Sequence, residues 1–358
     1  MNFNYNELLS EMDKRKFGTD SQIRILNEEK MLRFDSLAHS DFSRARQYQW
    51  LQESAVIRYI IGAMLPVAQN YTDQIIKCRT SVEHVLSQMN SNIYCDAPLE
   101  FRYQGSVSNN THIRHNSDVD LLTIIGYYIT LEPPQVATNP YKGNPKNDLM
   151  ELRENCVAQM SKVMPSVEIN DSGSKSIALT NGPLIIKVDV VPSNWYDSVR
   201  YTETQKEIYR GIQVYDKKQD IRILNYPFLF NELLKQKDST TGGVFKRAVR
   251  LLKSIKADVE KIEGTKINFS SYGISSLLYS VPNHRYYIGE SPLTLLRIVN
   301  ETLSYYGQTE NFSKLKDPLG EPLNSNSHSV VGIRKLQSAT SLMLNDIGED
   351  INKRISVA

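Results

Sequence analysis

The stretch from Tyr103 to Ile125, YQGSVSNNTHIRHNSDVDLLTII, constrains the fold of this chain more than any other. An alternation of apolar and polar residues leads into Gly105-Ser106, and after a polar segment Asp118-Val-Asp120 opens the apolar run Leu121 to Ile125. The period of two in a strand places Asp118 and Asp120 on one face, roughly 7 Å apart. Two carboxylates so placed repel each other and lose hydration unless a cation lies between them.

The pair Asp118 and Asp120 suits Mg²⁺, which takes hard oxygen ligands and is usually bound through one or two carboxylates plus substrate phosphates. Gly105 allows close approach of a backbone or a ligand. The amides of a Gly105-Ser106 turn that leads into a helix can bind phosphate oxygens. Alone, each feature is typical of an ordinary turn or strand end. In this order and spacing, they predict a phosphate-binding turn beside a metal site.

A third carboxylate, Asp189, lies in the apolar segment 184–191, LIIKVDVV. A buried Asp in a run of β-branched residues is seldom left without a partner. Its role remains open between a structural partner of Lys187, a strand-end cap and a third metal ligand. If its strand pairs with that of Asp118 and Asp120, two metal ions about 3.5–4 Å apart could activate a hydroxyl and stabilise a leaving pyrophosphate.

The composition limits the class of protein. A chain of 358 residues is long enough for two domains, and its net charge of +2 does not favour a long nucleic-acid partner. Cys78, Cys95 and Cys156 are far apart and the histidines do not cluster with them, which argues against disulfides and a structural zinc. Glu7 and Glu11 lie in an N-terminus without an apolar core, so no signal peptide is predicted. We expect a soluble, cytoplasmic, monomeric protein without membrane partners.

The periodicity predicts an α+β fold with a mixed sheet flanked by helices. Residues 1–40 read as a polar helical arm, a helix follows from Asp41, and Thr72 is the N-cap of a second helix. The segment 209–226 looks irregular. Between the second helix and this segment, the sequence predicts a loop over 132–147, a helix over 148–164 and short strands over 167–169 and 176–179. The resulting domains are the arm (1–40), a core (41–215) and a mostly helical lobe (216–358).

The segment 245–260, FKRAVRLLKSIKADVE, follows Gly242-Gly243 and reads as an amphipathic helix. Beside its apolar stripe runs a basic stripe of Lys246, Arg250 and Lys253. The basic stripe is either a solvated face or a cationic surface for a triphosphate. The apolar stripe consists of Phe245, Ala248, Val249, Leu252, Ile255 and Val259.

A Ser-Ser-Tyr motif, Ser270 to Tyr272, precedes another apolar helix. In one interpretation the serines cap that helix. In the other, Ser271 binds a phosphate and Tyr272 stacks on a base, which contributes about 1–3 kcal/mol per stacked base.

The motifs at 105–106 and 118–120, together with Asp189, resemble the signature of the DNA polymerase β-type nucleotidyltransferases. The second half resembles the CD-NTases, relatives of cyclic GMP-AMP synthase and the oligoadenylate synthases. The resemblance extends from Tyr48 to Ile347, and its motifs in the second half are TGGVFK at 241–246, VRLLK at 249–253 and SSY at 270–272.

This resemblance implies a bilobed enzyme with a polymerase β-like nucleotidyltransferase core, a C-terminal helical lobe and the active site in the cleft between them. Asp118, Asp120 and Asp189 would ligate two Mg²⁺ ions, for which Mn²⁺ could substitute, and Asp189 would also help to deprotonate the attacking ribose hydroxyl. Tyr272 would stack on the base of the donor. The candidate nucleotide-binding residues are Gln104, Gly105, Ser106, Arg250, Lys253, Ser271 and Tyr272.

The sequence therefore predicts an Mg²⁺-dependent nucleotidyltransferase that joins ribonucleoside triphosphates, ATP among them, into a cyclic di- or trinucleotide. Bacterial enzymes of this family make such second messengers in anti-phage defence. The zinc-bearing, DNA-sensing insertion of the animal synthase has no counterpart here, so we expect no DNA activator, with regulatory or effector proteins as partners. Two alternatives are an enzyme that adds nucleotides to RNA or tRNA, which needs an extended basic surface, and a nucleotide-binding regulator without catalysis.

Overall fold

The structure is a computed structural model, and it describes residues 2–17, 48, 51–113, 118–288, 291–323 and 327–357. The chain forms two compact units. The sheet unit comprises Asn70–Asn109 and Asn116–Glu232, and the helical unit comprises Met1–Gln69, Asn110–His115 and Leu233–Ala358. Of the predicted N-terminal arm, the described part contains helix α1 (Tyr5–Phe17), and the helix start predicted at Asp41 lies outside the described residues.

A mixed sheet of seven strands organises the described part of the sheet unit. The strands are β1 (Glu100–Gln104), β2 (Val119–Leu131), β3 (Glu168–Asn170), β4 (Ile177–Thr180), β5 (Val188–Asp197), β6 (Arg210–Asp216) and β7 (Ile221–Asn225). Their order is β1-β2-β5-β4-β3, and β6 pairs with β5 farther along that strand and continues the sheet to β7. The β2–β5 pair is parallel, and the other pairs are antiparallel.

β2 and β5 form the centre of the sheet because both begin as continuous apolar runs. Leu121 and Leu122 of β2 and Val188 of β5 are fully buried, as expected for strands covered on both faces. These two strands pair, which is the condition given above for a shared metal site, and Asp120 lies directly opposite Asp189. The strand of Asp189 starts at Val188, later than the predicted residue 184, and runs on to Asp197.

The sheet face that carries Asp120 and Asp189 continues into an apolar cluster, because alternate residues of a strand share a face. The cluster consists of Leu122, Ile124, Val191, Trp195, Ile212 and Val214, with Phe228 packed against it. A shift of register by one residue would turn these apolar side chains away from their packed face. The position of the two acids is therefore set by the hydrophobic packing of the strands.

The prediction of an irregular segment over 209–226 is wrong. β6 and β7 form an antiparallel hairpin there, in which Val214 lies opposite Ile223. Ile212 and Val214 are buried and Gln213 between them is partly exposed, an alternation typical of a strand. With this hairpin the sheet unit extends to Glu232, past the boundary placed at residues 215 and 216.

Three helices accompany the sheet: α3 (Gln69–Ser87), α4 (Pro145–Val163) and α5 (Val199–Thr204), with 3-10 turns at Gln88–Ser91 and Glu207–Tyr209. The predicted N-cap at Thr72 is wrong, since α3 begins before it. α4 begins at Pro145, because the Asn144 side chain accepts hydrogen bonds from the N–H groups of Lys146 and Asn147 at 3.0 and 3.4 Å. The predicted loop accordingly ends at Asn144.

The remaining helices are α2 (Ala55–Met64), α6 (Pro227–Thr240), α7 (Val244–Glu263), α8 (Ser271–Tyr279), α9 (Asn283–Tyr287), α10 (Pro292–Tyr306), α11 (Thr309–Phe312) and α12 (Ser327–Val357). The predicted apolar stripe of α7 is confirmed, since all six of its residues are fully buried. Asp258 of α7 is also fully buried, and it accepts hydrogen bonds from Arg15 of α1 and, at 2.6 Å, from the Tyr59 hydroxyl of α2. A buried, fully partnered carboxylate thus ties α1 and α2 to α7.

Over the ranges that the structure describes, none of the helices combines the length and the apolar character needed to span a bilayer.

Candidate active site

The three predicted carboxylates meet at the start of the β2–β5 pair. Because Asp120 lies directly opposite Asp189, both side chains leave the same face of the sheet. Asp118 precedes β2 by one residue. The Nζ atom of Lys187 lies 2.8 Å from Oδ2 of Asp118 and 2.8 Å from Oδ2 of Asp189. The structure therefore brings the acids together and places a cation between two of them.

Lys187 immediately precedes β5, and its carbonyl accepts a hydrogen bond from the Val119 N–H at 3.2 Å. Burial lowers the pKa of Lys187, but hydrogen bonds to Asp118 and Asp189 outweigh it, and the net pKa is raised. The ammonium group therefore stays charged at neutral pH. One alternative for Asp189, a partner of Lys187, is thus confirmed, and metal ligation by the same acid stays a prediction.

Asp120 is the acid with the least compensating positive charge. Burial is the main reason that its pKa is raised to about 7, followed by repulsion from Asp189 and Asp118, and Lys187 opposes the shift. At neutral pH this carboxyl lies near its midpoint of ionisation. A cation bound among the three acids would return it to the ionised form.

Gly105 follows β1 directly and faces Asp120. Its φ of +96° lies in the left-handed region, and a Cβ at this position would be 2.9 Å from Oδ2 of Asp120. The backbone conformation therefore favours glycine, and a larger residue would in addition displace the Asp120 carboxylate. Gln104 lies opposite Asp120 in the β1–β2 register, which places it on the acidic face as well, and Ser106 follows in the turn.

Residues 105–110 form consecutive turns and not the expected start of a helix. The Ser108 hydroxyl donates to the Gly105 carbonyl at 2.8 Å, and the Asn109 amide donates to Oδ1 of Asn231 on α6 at 2.6 Å. Sequence reasoning missed these contacts. Asn231 is 122 residues away from Asn109, and no local pattern connects the two.

The basic stripe of α7 is not a solvated face. Arg250 and Lys253 are 7% and 8% exposed. Arg250 donates from Nε to the Met64 carbonyl at 2.6 Å and from Nη1 to that of Asn110 at 2.8 Å, and Lys253 donates to the Thr111 carbonyl at 2.8 Å. Burial lowers the pKa of Arg250 to about 10. Both side chains hold the backbone that follows the Gly-Ser turn, and their contact with a nucleotide stays a prediction.

The Ser-Ser-Tyr motif forms the start of α8. Ser270 is the N-cap, and its hydroxyl accepts the Gly273 N–H at 3.0 Å, which confirms the capping interpretation for this residue. Ser271 is the first helical residue and is exposed. Tyr272 is 42% exposed and donates its hydroxyl to Asp317. The tyrosine therefore combines an oriented ring with accessible surface.

The donor set of the acidic site suits a hard divalent cation. Three carboxylates supply oxygen ligands. Two of them, Asp118 and Asp189, already bind a positive charge, the Lys187 ammonium group. Burial and repulsion by the other two acids raise the pKa of Asp120, so a bound cation would favour its ionised form. Among the residues that the structure describes, no three His, Cys, Asp or Glu side chains are already arranged around a metal position. Lys187 instead lies between Asp118 and Asp189.

The three acids meet beside a Gly-Ser turn, and comparison with known proteins identifies the family of the chain. The family model of the cGAS/DncV-like nucleotidyltransferase C-terminal helical domain matches residues 232–320. The chain is 31% identical over 371 residues to the cyclic dinucleotide synthase CdnE of Yersinia aleksiciae, covering 98% of this chain and 94% of the relative. The chain therefore belongs to the CD-NTase family, as its motifs predict, and it is a nucleotidyltransferase.

Other relatives agree with this assignment. The chain is 27% identical over 345 residues to a c-di-GMP synthase of a Lachnospiraceae bacterium, covering 89% of this chain and 91% of the relative. The solved structure of the STING-associated CdnE c-di-GMP synthase from Capnocytophaga granulosa matches with a TM-score of 0.72 at 26% identity, over 97% of this chain and 99% of that one. The predicted fold class, a mixed-sheet core with a C-terminal helical domain, is confirmed.

Proposed function

We propose that the protein joins two ribonucleoside triphosphates into a cyclic dinucleotide in an Mg²⁺-dependent reaction that releases pyrophosphate. The observation that carries the proposal is the convergence of Asp118, Asp120 and Asp189 beside the Gly105 turn. The names of the relatives support a dinucleotide over a trinucleotide. Those named c-di-GMP synthases favour GTP as a substrate over the ATP expected from the sequence.

The acids would have distinct tasks in this reaction. Asp118, Asp120 and Asp189 would hold Mg²⁺, which when bound neutralises phosphate charge and acidifies the attacking ribose hydroxyl. Asp189 would accept the proton of that hydroxyl. The Ser176 hydroxyl donates to Oδ1 of Asp189 at 3.4 Å and so helps to orient this carboxylate. As the new bond to the α-phosphorus forms, the bond to pyrophosphate breaks and the electron pair leaves with pyrophosphate.

The donor triphosphate would bind to the backbone N–H groups of the Gly105-Ser106 turn. The exposure of Ser271 and Tyr272 supports direct contact with a nucleotide, Ser271 with a phosphate and Tyr272 with the base. Lys253 would contribute by fixing the Thr111 carbonyl, close in sequence to this turn, as well as by its charge.

Purified protein incubated with Mg²⁺ and the four nucleoside triphosphates, singly and in pairs, tests the proposal. We expect pyrophosphate release and a cyclic dinucleotide mass from GTP, and we expect neither from the Asp189→Asn variant. Pyrophosphate release from no combination would refute the proposed activity. Lengthening of added RNA would instead indicate the tailing enzyme, and nucleotide binding without turnover would indicate the regulator.

We further propose that the product is a second messenger read by an effector protein in anti-phage defence. The description of the Capnocytophaga granulosa relative as STING-associated supports an effector that recognises cyclic dinucleotides. Mixing the product of the reaction with candidate effectors, and measuring binding by calorimetry, tests this step.

A further inference from the structure

Lys187 belongs to the acidic site and lies between two of its carboxylates, but the proposed reaction assigns it no chemical step. We propose that Lys187 is a resident cation of this site, which neutralises Asp118 and Asp189 in the metal-free protein and competes with the divalent ion for their oxygens. In this role Lys187 sets the metal concentration that the enzyme requires. The inference rests on the proposed metal-dependent function.

The backbone places Lys187 in this position. Lys187 and Asp189 are two residues apart, so their side chains leave the same face of the strand. The hydrogen bond from the Val119 N–H to the Lys187 carbonyl, 3.2 Å long, sets the start of β2 beside the start of β5. Asp118 therefore lies next to Lys187 whatever the conformation of the two side chains.

Competition follows from the atoms involved. The ammonium group contacts Oδ2 of Asp118 and Oδ2 of Asp189 at 2.8 Å each. Mg²⁺ binds carboxylate oxygens at about 2.0–2.1 Å and demands nearly octahedral geometry. An ion that used these two oxygens would occupy the space of the ammonium group, and the two positive charges would repel each other.

Lys187 can leave its position, since its side chain is 33% exposed and that of Asp118 is 52% exposed. The ammonium group need only rotate into solvent for the two carboxylates to become ligands.

Mn²⁺ binding to the full chain, measured by calorimetry and electron paramagnetic resonance, tests the proposal. Removal of the competing charge in Lys187→Met should tighten Mn²⁺ binding at least tenfold, and the polar Lys187→Gln should do the same. Lys187→Arg should stay within about threefold of wild type, since it keeps the charge. The control is Lys146→Met, which removes an exposed lysine paired with Asp220 at 3.0 Å and should leave Mn²⁺ affinity unchanged.

A second readout separates competition from a structural role. In EDTA both neutral variants should melt at a lower temperature than wild type, because the three acids then repel each other without compensation. Their gain in melting temperature on addition of Mn²⁺ should exceed that of wild type. Unchanged or weaker Mn²⁺ binding by both neutral variants would overturn the proposal even if wild type makes a cyclic dinucleotide. Absence of saturable Mn²⁺ binding by wild type would overturn the proposed metal-dependent function as well.

Discussion

The substitution Asp120→Asn tests the electrostatics of the acidic site without relying on turnover. The amide keeps the size of the carboxyl group but cannot ionise, so it imitates protonated Asp120 at every pH. In metal-free protein we expect the variant to match the stability of wild type below about pH 4 and to exceed it above about pH 7, the two values between which the pKa of Asp120 shifts on folding.

The sign follows from proton uptake. The pKa of Asp120 rises from 3.8 in the unfolded chain to about 7 in the folded protein. Folding therefore takes up a proton between these values, and the free energy of unfolding of wild type falls as the pH rises through this interval. A rise of about 3 pKa units, at about 1.4 kcal/mol per unit, gives a difference of about 4 kcal/mol above pH 7.

Urea unfolding in EDTA, followed by circular dichroism at several pH values, measures this difference. The excess stability of the variant should grow from about 2 kcal/mol at pH 5 to about 4 kcal/mol at pH 8. Asp220→Asn, which removes an exposed acid paired with Lys146, serves as the control and should show no such growth. Saturating Mg²⁺ at pH 8 should narrow the difference, since the metal supplies wild type with the missing charge.

A difference that does not change with pH would refute the reasoning, and so would a variant less stable than wild type at pH 8. Either result would mean that water or a partner already stabilises ionised Asp120 in the folded protein. A bound cation would then add little to the stability of the ionised carboxylate. Turnover should be lost in the variant in any case, because the proposed reaction needs three ionised carboxylates.

Three further substitutions test other parts of the molecule. Gly105→Ala puts a Cβ 2.9 Å from Oδ2 of Asp120 at a φ of +96°. We expect the free energy of unfolding, measured in urea, to fall by about 1–3 kcal/mol. Unchanged stability would contradict the close approach. Asp258→Ala leaves the Arg15 side chain, which is 15% exposed, without its buried partner and should lose about 3–5 kcal/mol in the same assay, whereas a loss below about 1 kcal/mol would show that water reaches the pair. Tyr272→Ala should weaken GTP binding by about 1–3 kcal/mol in calorimetry while Mn²⁺ affinity stays unchanged. GTP affinity equal to that of wild type would show that this ring does not contact the nucleotide.

Local sequence patterns were sufficient to predict several requirements of the acidic site. The period of two put Asp118 and Asp120 on one face, and the glycine before Ser106 marked the point where a backbone needs close approach. The apolar stripe of α7 was predicted in the same way, and the cap at Ser270 was one of the two interpretations that the sequence allowed. These features depend on the geometry of a few consecutive residues, so a local pattern is sufficient to predict them.

Which distant residues come into contact became known from the packing of the folded chain. It placed Asp189 opposite Asp120, put the Lys187 ammonium between two acids, and buried Arg250 where the sequence allowed a solvated position. It also joined the hairpin over 209–226 to the sheet. Strand register and the burial of a charge depend on segments far apart in the chain that pack together, and the same lysine or arginine is a surface group or a buried donor according to what covers it.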